Sequence, residues 1–443
     1  MVENFASLSL LSFKTRRTPA TDRATTTKTA VTGRQRFIVS EAILHRVPWA
    51  SYGNSSDSAP LLWSSVLVLF QDSMIKRIRV CGYRSIRELC LELQPINVLT
   101  GPNGCGKSNL YNSLVLIGRA AQGQLARAIG EEGGTPSVFW AGGERVRYQR
   151  KKPPKRVVLG FEGEEFAYEL QVGLPGFNEH ALGTMFKLDP RVKEEYIWPS
   201  ETKRRVLMLK RDEPSAWLRN SEGNMITYPF KISKHESVLS QIIDPHLYPE
   251  ISALRNEILS WRFYHHFRTD LESPLRQPQI GVQTTALSHD GSDLAAALQT
   301  ILEIGDETVL RETITEAFGG ATLLIEAMET LFSIRLQMPG LLRPLQAREL
   351  SDGQLRFLCL SAALLSPRPP SLLALNEPET SLHPDLINSL ARLMVPASKH
   401  TQLWITTHSH RLAESIEQHS GLPRVRLCMV DGETKVDSST GPG

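Results

Sequence analysis

One octapeptide restricts this chain more than anything else in it. It reads Gly101-Pro102-Asn103-Gly104-Cys105-Gly106-Lys107-Ser108, is entered from the apolar run Ile96-Asn97-Val98-Leu99-Thr100, and leaves through a helix-compatible stretch, residues 109–121, that opens with Asn109. Glycines let the backbone curl until its N–H groups converge, and the start of a helix adds a partial positive charge. Strand, loop and helix in that order cradle phosphates. At this spacing Lys107 reaches the β- and γ-phosphates of a nucleotide, and the Ser108 hydroxyl holds Mg²⁺. The expected fold is therefore α/β, of the P-loop NTPase kind.

Three further stretches stand in an order that completes such a site. Leu350-Ser351-Asp352-Gly353-Gln354 precedes a helix expected over residues 355–365. Ser351 is a good N-cap, Gly353 permits close backbone approach, and a capped helix start receives anions. Alone, these five residues equally suit an ordinary capped helix. Next, the buried-type strand Ser371-Leu372-Leu373-Ala374-Leu375 ends in Asn376-Glu377-Pro378-Glu379-Thr380. A carboxylate at the C-terminal end of a parallel strand sits beside the phosphate loop, where Glu377 can orient and deprotonate water. The plainer alternative is a glutamate solvated in a turn. Another apolar strand, residues 402–406, ends in Thr407-His408-Ser409. From there His408 can touch the γ-phosphate or the activated water, unless it is simply a satisfied strand-end histidine.

Bulk properties exclude more than they assign. The 443 residues allow two or three units, or one large α/β unit with insertions, and 41% hydrophobic content supports a buried core. Net charge is +3, and the first 73 residues, with 8 Lys/Arg against 5 Asp/Glu, account for all of it. Composition thus gives no support for a globally basic nucleic-acid binder, and any such contact has to be a local patch. Five scattered cysteines (Cys81, Cys90, Cys105, Cys359, Cys428) lack metal-ligand spacing and suit a reducing, cytoplasmic setting.

Residues 1–32 are rich in Thr, Ser and Arg with few acids, like an organelle transit sequence, and the apolar residues 59–70 are too few to span a bilayer. The favoured expectation is that the native chain begins at Met74, with a disordered tail or a targeting segment as the other readings. No transmembrane segment is expected. Strands are expected over residues 75–80, 86–93 and 96–100, then hairpins at 157–172 and 216–228, and a strand at 206–210. Helices follow over 245–260, 292–303 and 307–318, and strands over 323–328 and 331–337. The roughly 240 residues between the two halves of the site show no heptads and carry Pro153, Pro154, Pro175, Pro190, Pro214 and Pro274, which excludes a long coiled-coil arm.

The ordered set, residues 101–109, 350–354, 375–384 and 406–408, resembles the ABC-type ATPase heads, and within them the RecF/SMC/OLD-like branch of stand-alone AAA-type ATPases. Gly82-Tyr83-Arg84-Ser85-Ile86 ahead of the loop fits the same group. The resemblance implies an ABC-head fold over residues 74–438: a phosphate-loop lobe (74–140), a variable β-rich and helical insertion (141–321) and a lobe carrying the rest of the site (322–438). It implies two copies sandwiching Mg-ATP, with Ser351, Gly353 and Gln354 of one copy closing on the γ-phosphate held by the other. Ser381 and His383 would lie at the dimer interface, with His408 as switch histidine. Asn376 stands where the family usually has a metal-binding aspartate, so slow hydrolysis is expected, with Glu379 as a possible compensating carboxylate. The glutamine that normally links phosphate and metal to the variable lobe stays open among Gln277, Gln279 and Gln283.

Residues 145–156 hold seven basic side chains in twelve, and Lys203-Arg204-Arg205 with Lys210-Arg211 form a second cluster. These are candidate DNA contacts, against the plainer reading of solvated loops. His265-His266 has no metal spacing partner, which favours a structural role. Only 35 residues follow His408, too few for a nuclease domain, so nuclease activity is not expected in this chain, and a separate effector or nuclease could supply it. The expected function is a dimerising ATPase in DNA repair or DNA-directed defence. A catalytically weak ATP-gated switch is the alternative, and a transporter ATPase subunit a third.

Overall fold

The computed structural model describes residues 74–143, 155–175, 185–202, 206–220 and 222–437. Expectations for residues 1–73, for most of the basic run at 145–156 and for Lys203-Arg204-Arg205 lie outside the described residues.

Alternating apolar and polar side chains make β1 (Arg77–Tyr83) and β2 (Ile86–Glu92) an antiparallel hairpin, turning at Arg84 with φ 48°. β3 (Ile96–Thr100) is instead apolar on both faces, as a parallel strand covered on both sides must be. It runs through the glycine-rich loop into α1 (Lys107–Ala121), then α2 (Leu125–Glu131) and α3 (Thr135–Val138). Six antiparallel strands follow: β4 (Arg156–Glu162), β5 (Phe166–Gly173), β6 (Arg191–Pro199), β7 (Leu209–Asp212), β8 (Ser215–Arg219) and β9 (Met225–Thr227). α4 (Val238–Gln241) and α5 (Pro249–Ser260) return the chain to β10 (Arg262–Tyr264) and β11 (Gln279–Ile280). After α6 (Leu294–Ile304) and α7 (Glu307–Ala317) come β12 (Thr322–Met328), β13 (Leu331–Gln337) and β14 (Leu345–Gln346). The last stretch is α8 (Asp352–Leu364), β15 (Leu372–Asn376), α9 (Pro384–Ala397), β16 (Gln402–Thr406), α10 (His410–Ser420), β17 (Val425–Val430) and β18 (Glu433–Val436).

The strands form an eight-stranded antiparallel sheet (β2-β1-β4-β5-β6-β7-β8-β9), a six-stranded sheet (β10-β15-β16-β3-β17-β18) and a small sheet of β11, β13, β12 and β14. In the six-stranded sheet every pair but the last is parallel. Alternate residues therefore serve different cores. Leu372, Ala374 and Trp404 join the core around α1, while Leu373, Leu375, Leu403 and Ile405 join the one under α6 to α10. Parallel strands also bring their C-terminal ends to one rim. Asn376 lies opposite Thr406, and Thr406 opposite Leu99, so Glu377, Thr407 and the phosphate loop emerge side by side. At the usual strand spacing Glu377 sits about 10 Å from the β3 end.

Several boundaries moved. The helix expected from 245 starts at Pro249, because the Asp244 carboxylate takes the His246 and Leu247 N–H groups into a turn. The strand expected at 206–210 is Leu209–Asp212, paired with β6. β6 was not foreseen because its inward face carries Glu195 between Val192 and Ile197. That carboxylate is fully buried and pairs with fully buried Arg211 at 2.9 Å, which removes Arg211 from any DNA-facing patch. β1 and β2 share a sheet with β4 to β9, and β10 joins the central sheet, so the sheets run across residues 140 and 321.

Candidate active site

The loop after β3 is shaped by its glycines. Gly101, Gly104 and Gly106 have φ of 150°, 76° and 102°. A Cβ at Gly101 would meet the Leu427 carbonyl oxygen at 2.3 Å, and one at Gly106 would meet Thr434 Oγ1 at 2.1 Å, whereas Gly104 faces open space. The β17–β18 hairpin, absent from the sequence reading, thus presses against the back of the loop. Asn109 Nδ2 donates to Ser85 Oγ at 2.7 Å, and Ser85 Oγ lies 2.7 Å from Thr434 Oγ1, so Asn109 braces the same junction.

Lys107 is buried, and its Nζ donates to the Gly101 and Pro102 carbonyl oxygens at 2.8 and 3.1 Å. The ammonium is held inside the loop, where a phosphate can replace neutral acceptors by charged ones. Pro102, Asn103 and Gly104 are exposed along the loop crest, Cys105 is buried beneath it, and Ser108 is exposed in the first turn of α1. No side chain caps α1, so its leading N–H groups remain for an anion.

On the same rim, Glu377 Oε1 lies 3.3 Å from His408 Nε2, with the two side chains 41% and 40% exposed. The structure thus brings together two residues that the sequence could only place at the ends of two strands. Glu377 has φ 47° and donates its N–H to the Thr406 carbonyl oxygen at 2.8 Å. Asn376 Oδ1 accepts from Thr406 Oγ1 at 2.6 Å and keeps a second lone pair. Glu379, the candidate compensating carboxylate, has one of its oxygens engaged on a neighbouring turn. Its Oε1 accepts from Thr407 Oγ1, His408 N and Ser409 N at 2.6, 3.0 and 3.1 Å, and so holds the His408 turn.

Ser351 caps α8 as the sequence suggests, and earlier than expected, because the helix starts at Asp352. Its Oγ accepts from Gln354 N at 3.2 Å, and Gln354 Oε1 accepts from Ser351 N at 2.9 Å. Ser351 is exposed, and Gly353 packs against the Ser381 carbonyl oxygen, which a Cβ would approach to 2.7 Å. His383 is exposed at the N-cap of α9. Of the three candidate glutamines, Gln279 is spent internally on Ala295 N and the Pro274 carbonyl oxygen, while Gln277 and Gln283 are exposed.

Near the rim, Arg276 and Arg356 went unassigned in the sequence, and His266 was read only as structural. Arg276 is nearly buried and donates to the Leu350 carbonyl oxygen and to Asp352 Oδ1, both at 2.6 Å, fixing the start of α8. Arg356 reaches the Glu377 carbonyl oxygen, and His266, just past the end of β10, contacts Arg356. No local signal marks them, because each acts through a partner distant in sequence.

Mg-ATP fits this donor set. The loop supplies N–H groups and a cation for the phosphates, and Ser108 Oγ with Asn376 Oδ1 gives neutral oxygen donors of the kind Mg²⁺ accepts beside phosphate. Among the described residues, no group of three His, Cys, Asp or Glu could hold a metal by itself.

The family model described as "AAA domain, putative AbiEii toxin, Type IV TA system" matches residues 96–414, more than half of the chain. The chain belongs to this AAA family. Its fold is the α/β P-loop fold that its motifs led us to expect. No curated protein matches it. Among solved structures it is similar to an SMC head bound to the C-terminal winged-helix domain of ScpA (15% identity, 82% of this chain and 97% of that one, TM-score 0.44). It is similar also to the Thermotoga maritima SMC head domain (16%, 82% and 98%, 0.39). A third is the Pyrococcus furiosus SMC head with an extended coiled coil, bound to the C-terminal domain of ScpA (13%, 82% and 96%, 0.42). Among the described residues no helix of this AAA protein is long and apolar enough to cross a membrane.

Proposed function

We propose that this AAA protein binds Mg-ATP, dimerises around it and hydrolyses it slowly, in DNA repair or DNA-directed defence. The observation that carries the hydrolysis is the Glu377–His408 contact on the rim that also holds the Lys107 loop. There Glu377 takes the proton of the attacking water and His408 orients the water or the γ-phosphate. Mg²⁺ would be held by the Ser108 and Asn376 oxygens and would supply charge neutralisation at the phosphates. The exposed Ser351 at the start of a capped helix supports closure by a second copy, whose contacts would make the ATP-bound dimer the favoured state. A defence role is in keeping with the family description. The decisive experiment measures ATP turnover with and without single- and double-stranded DNA, alongside oligomer mass with ATP. No turnover and no ATP-dependent dimer in any condition would overturn the reading.

Asn376 favours a second reading, an ATP-gated switch whose occupancy alone controls a partner. Its side chain has no charge to offer a metal and is already bonded to Thr406. Asn376→Asp separates the two: a large gain in turnover supports the switch, and an unchanged rate supports the enzyme.

A further inference from the structure

Helix α8 meets the catalytic turn at two points on one face. Its backbone lies on the loop after Glu377, where a Cβ at Gly353 would come within 2.7 Å of the Ser381 carbonyl oxygen. Three residues on, Arg356 is 3% exposed and donates from Nη2 to the Glu377 carbonyl oxygen at 2.9 Å, with Nη1 3.3 Å from His266 Nδ1. Positions i and i+3 share a helix face, so both contacts belong to one docking surface. Glu377 needs such support. Its φ of 47° lies in the left-handed region, which a residue with a side chain keeps only when its surroundings hold it there. Three bonds do so: its N–H to the Thr406 carbonyl oxygen at 2.8 Å, and its carbonyl oxygen accepting from Thr380 N at 3.1 Å and from Arg356 at 2.9 Å.

Arg356 is an expensive residue for mere filling. Burial disfavours its charged form, its two bonded acceptors are a neutral carbonyl and an imidazole, and its buried Nε has no partner among the described residues. Among the described residues Glu379 Oε2 is buried without a hydrogen-bond partner too, and the Glu379 charge acts on Arg356.

We infer that Arg356 is a positioning residue for hydrolysis: it ties the strained Glu377 turn to the first turns of α8, so that engagement of Ser351 by a partner's triphosphate sets the geometry of the base. The inference rests on the proposed role of Glu377. Ser351 and Arg356 stand about 7 Å apart along one helix axis, so displacement at the first reaches the second through rigid backbone. His266 ties the end of β10 to the same guanidinium, so three elements converge on one side chain.

The test compares wild type, R356K, R356Q and E377Q of the full chain. Steady-state ATPase gives kcat and KM, titration with a fluorescent ATP analogue gives affinity, and thermal melting reports folding. R356Q should lower kcat by about 30- to 100-fold, the scale expected when a catalytic group is misplaced by about 1 Å, with nucleotide affinity within about threefold of wild type. R356K keeps one donor and should recover part of kcat. A folded R356Q or R356K with wild-type kcat, or one that loses affinity as much as kcat, overturns the inference. Should R356Q not fold, R356K with H266A decides in the same way. Undiminished turnover in E377Q overturns the hydrolysis reading beneath it instead, so the two failures are distinguishable.

Discussion

Glu377 and His408 meet across the ends of two neighbouring parallel strands, carboxylate Oε1 3.3 Å from imidazole Nε2. Both are partly open to solvent, so water can reach the pair. Replacing Glu377 by Gln should cut ATP turnover by about 10²- to 10⁴-fold while nucleotide binding persists, the loss expected for a general base. In light scattering with ATP, E377Q should be the more dimeric species. His408→Ala should lower kcat about 10²-fold with little change in affinity.

Lys107 is held by two loop carbonyls, and its charge is the main attraction the loop offers a phosphate. Lys107→Ala should weaken ATP binding by about 10- to 100-fold, the worth of a charged hydrogen bond. Thermal shift provides the check. At 100-fold excess over the wild-type Kd, ATP should stabilise the wild type by about 2.7 kcal/mol and the variant by only about 0.4 to 1.4 kcal/mol.

The loop glycines are not equivalent. Gly106→Ala combines left-handed backbone with a Cβ 2.1 Å from Thr434 Oγ1, whereas Gly104→Ala meets no neighbour within 4 Å. The first should cost about 1 to 3 kcal/mol in strain, with the steric clash in addition, and abolish ATP binding. Gly104→Ala should be milder on both counts. Adding Thr434→Ala to Gly106→Ala should restore only the steric part, as denaturant melts can resolve.

The Glu195–Arg211 pair is fully buried, and Glu195 also accepts from Tyr168 Oη at 2.6 Å and Val238 N at 2.9 Å. Arg211→Met leaves that carboxylate buried and uncompensated, which should cost about 3 to 5 kcal/mol. Denaturant unfolding checks the size. If Lys210 and Arg211 served DNA, Arg211→Met would instead leave stability intact and weaken DNA binding.

Glu349 closes the short turn just before Leu350, and its carboxyl is held down at about 2 by Arg343, with the Gln346 N–H assisting. A lowered carboxyl stabilises the fold above its unfolded value of about 4.3 and loses that contribution as pH falls toward 2. The melting-point difference between wild type and Glu349→Gln should therefore be constant near neutrality and shrink through pH 4 to 2.

Where a residue's role depends on its neighbours in the chain, the sequence made it readable. The strand, glycines, lysine and serine of the loop are a local device, and so is the Ser351–Gln354 cap; both formed where expected. Strand ends at Glu377 and His408 were readable from apolar runs alone. Charged inward positions hid β6, since Glu195 breaks the alternation that marks a strand and is tolerated only because Arg211, distant in sequence, faces it.

What the chain order determined was the inventory: a phosphate loop, a capped helix, a glutamate and a histidine at strand ends. The tertiary structure decided which of them touch. Parallel pairing of β15, β16 and β3 put Glu377 beside His408, and the β17–β18 hairpin closed the space behind Gly101 and Gly106. It also turned Glu379 onto the His408 loop and set Arg356 against Glu377. Propensity and periodicity act over a few residues, whereas these contacts join groups tens to hundreds of residues apart, and only packing of sheet against helix brings them within hydrogen-bonding distance.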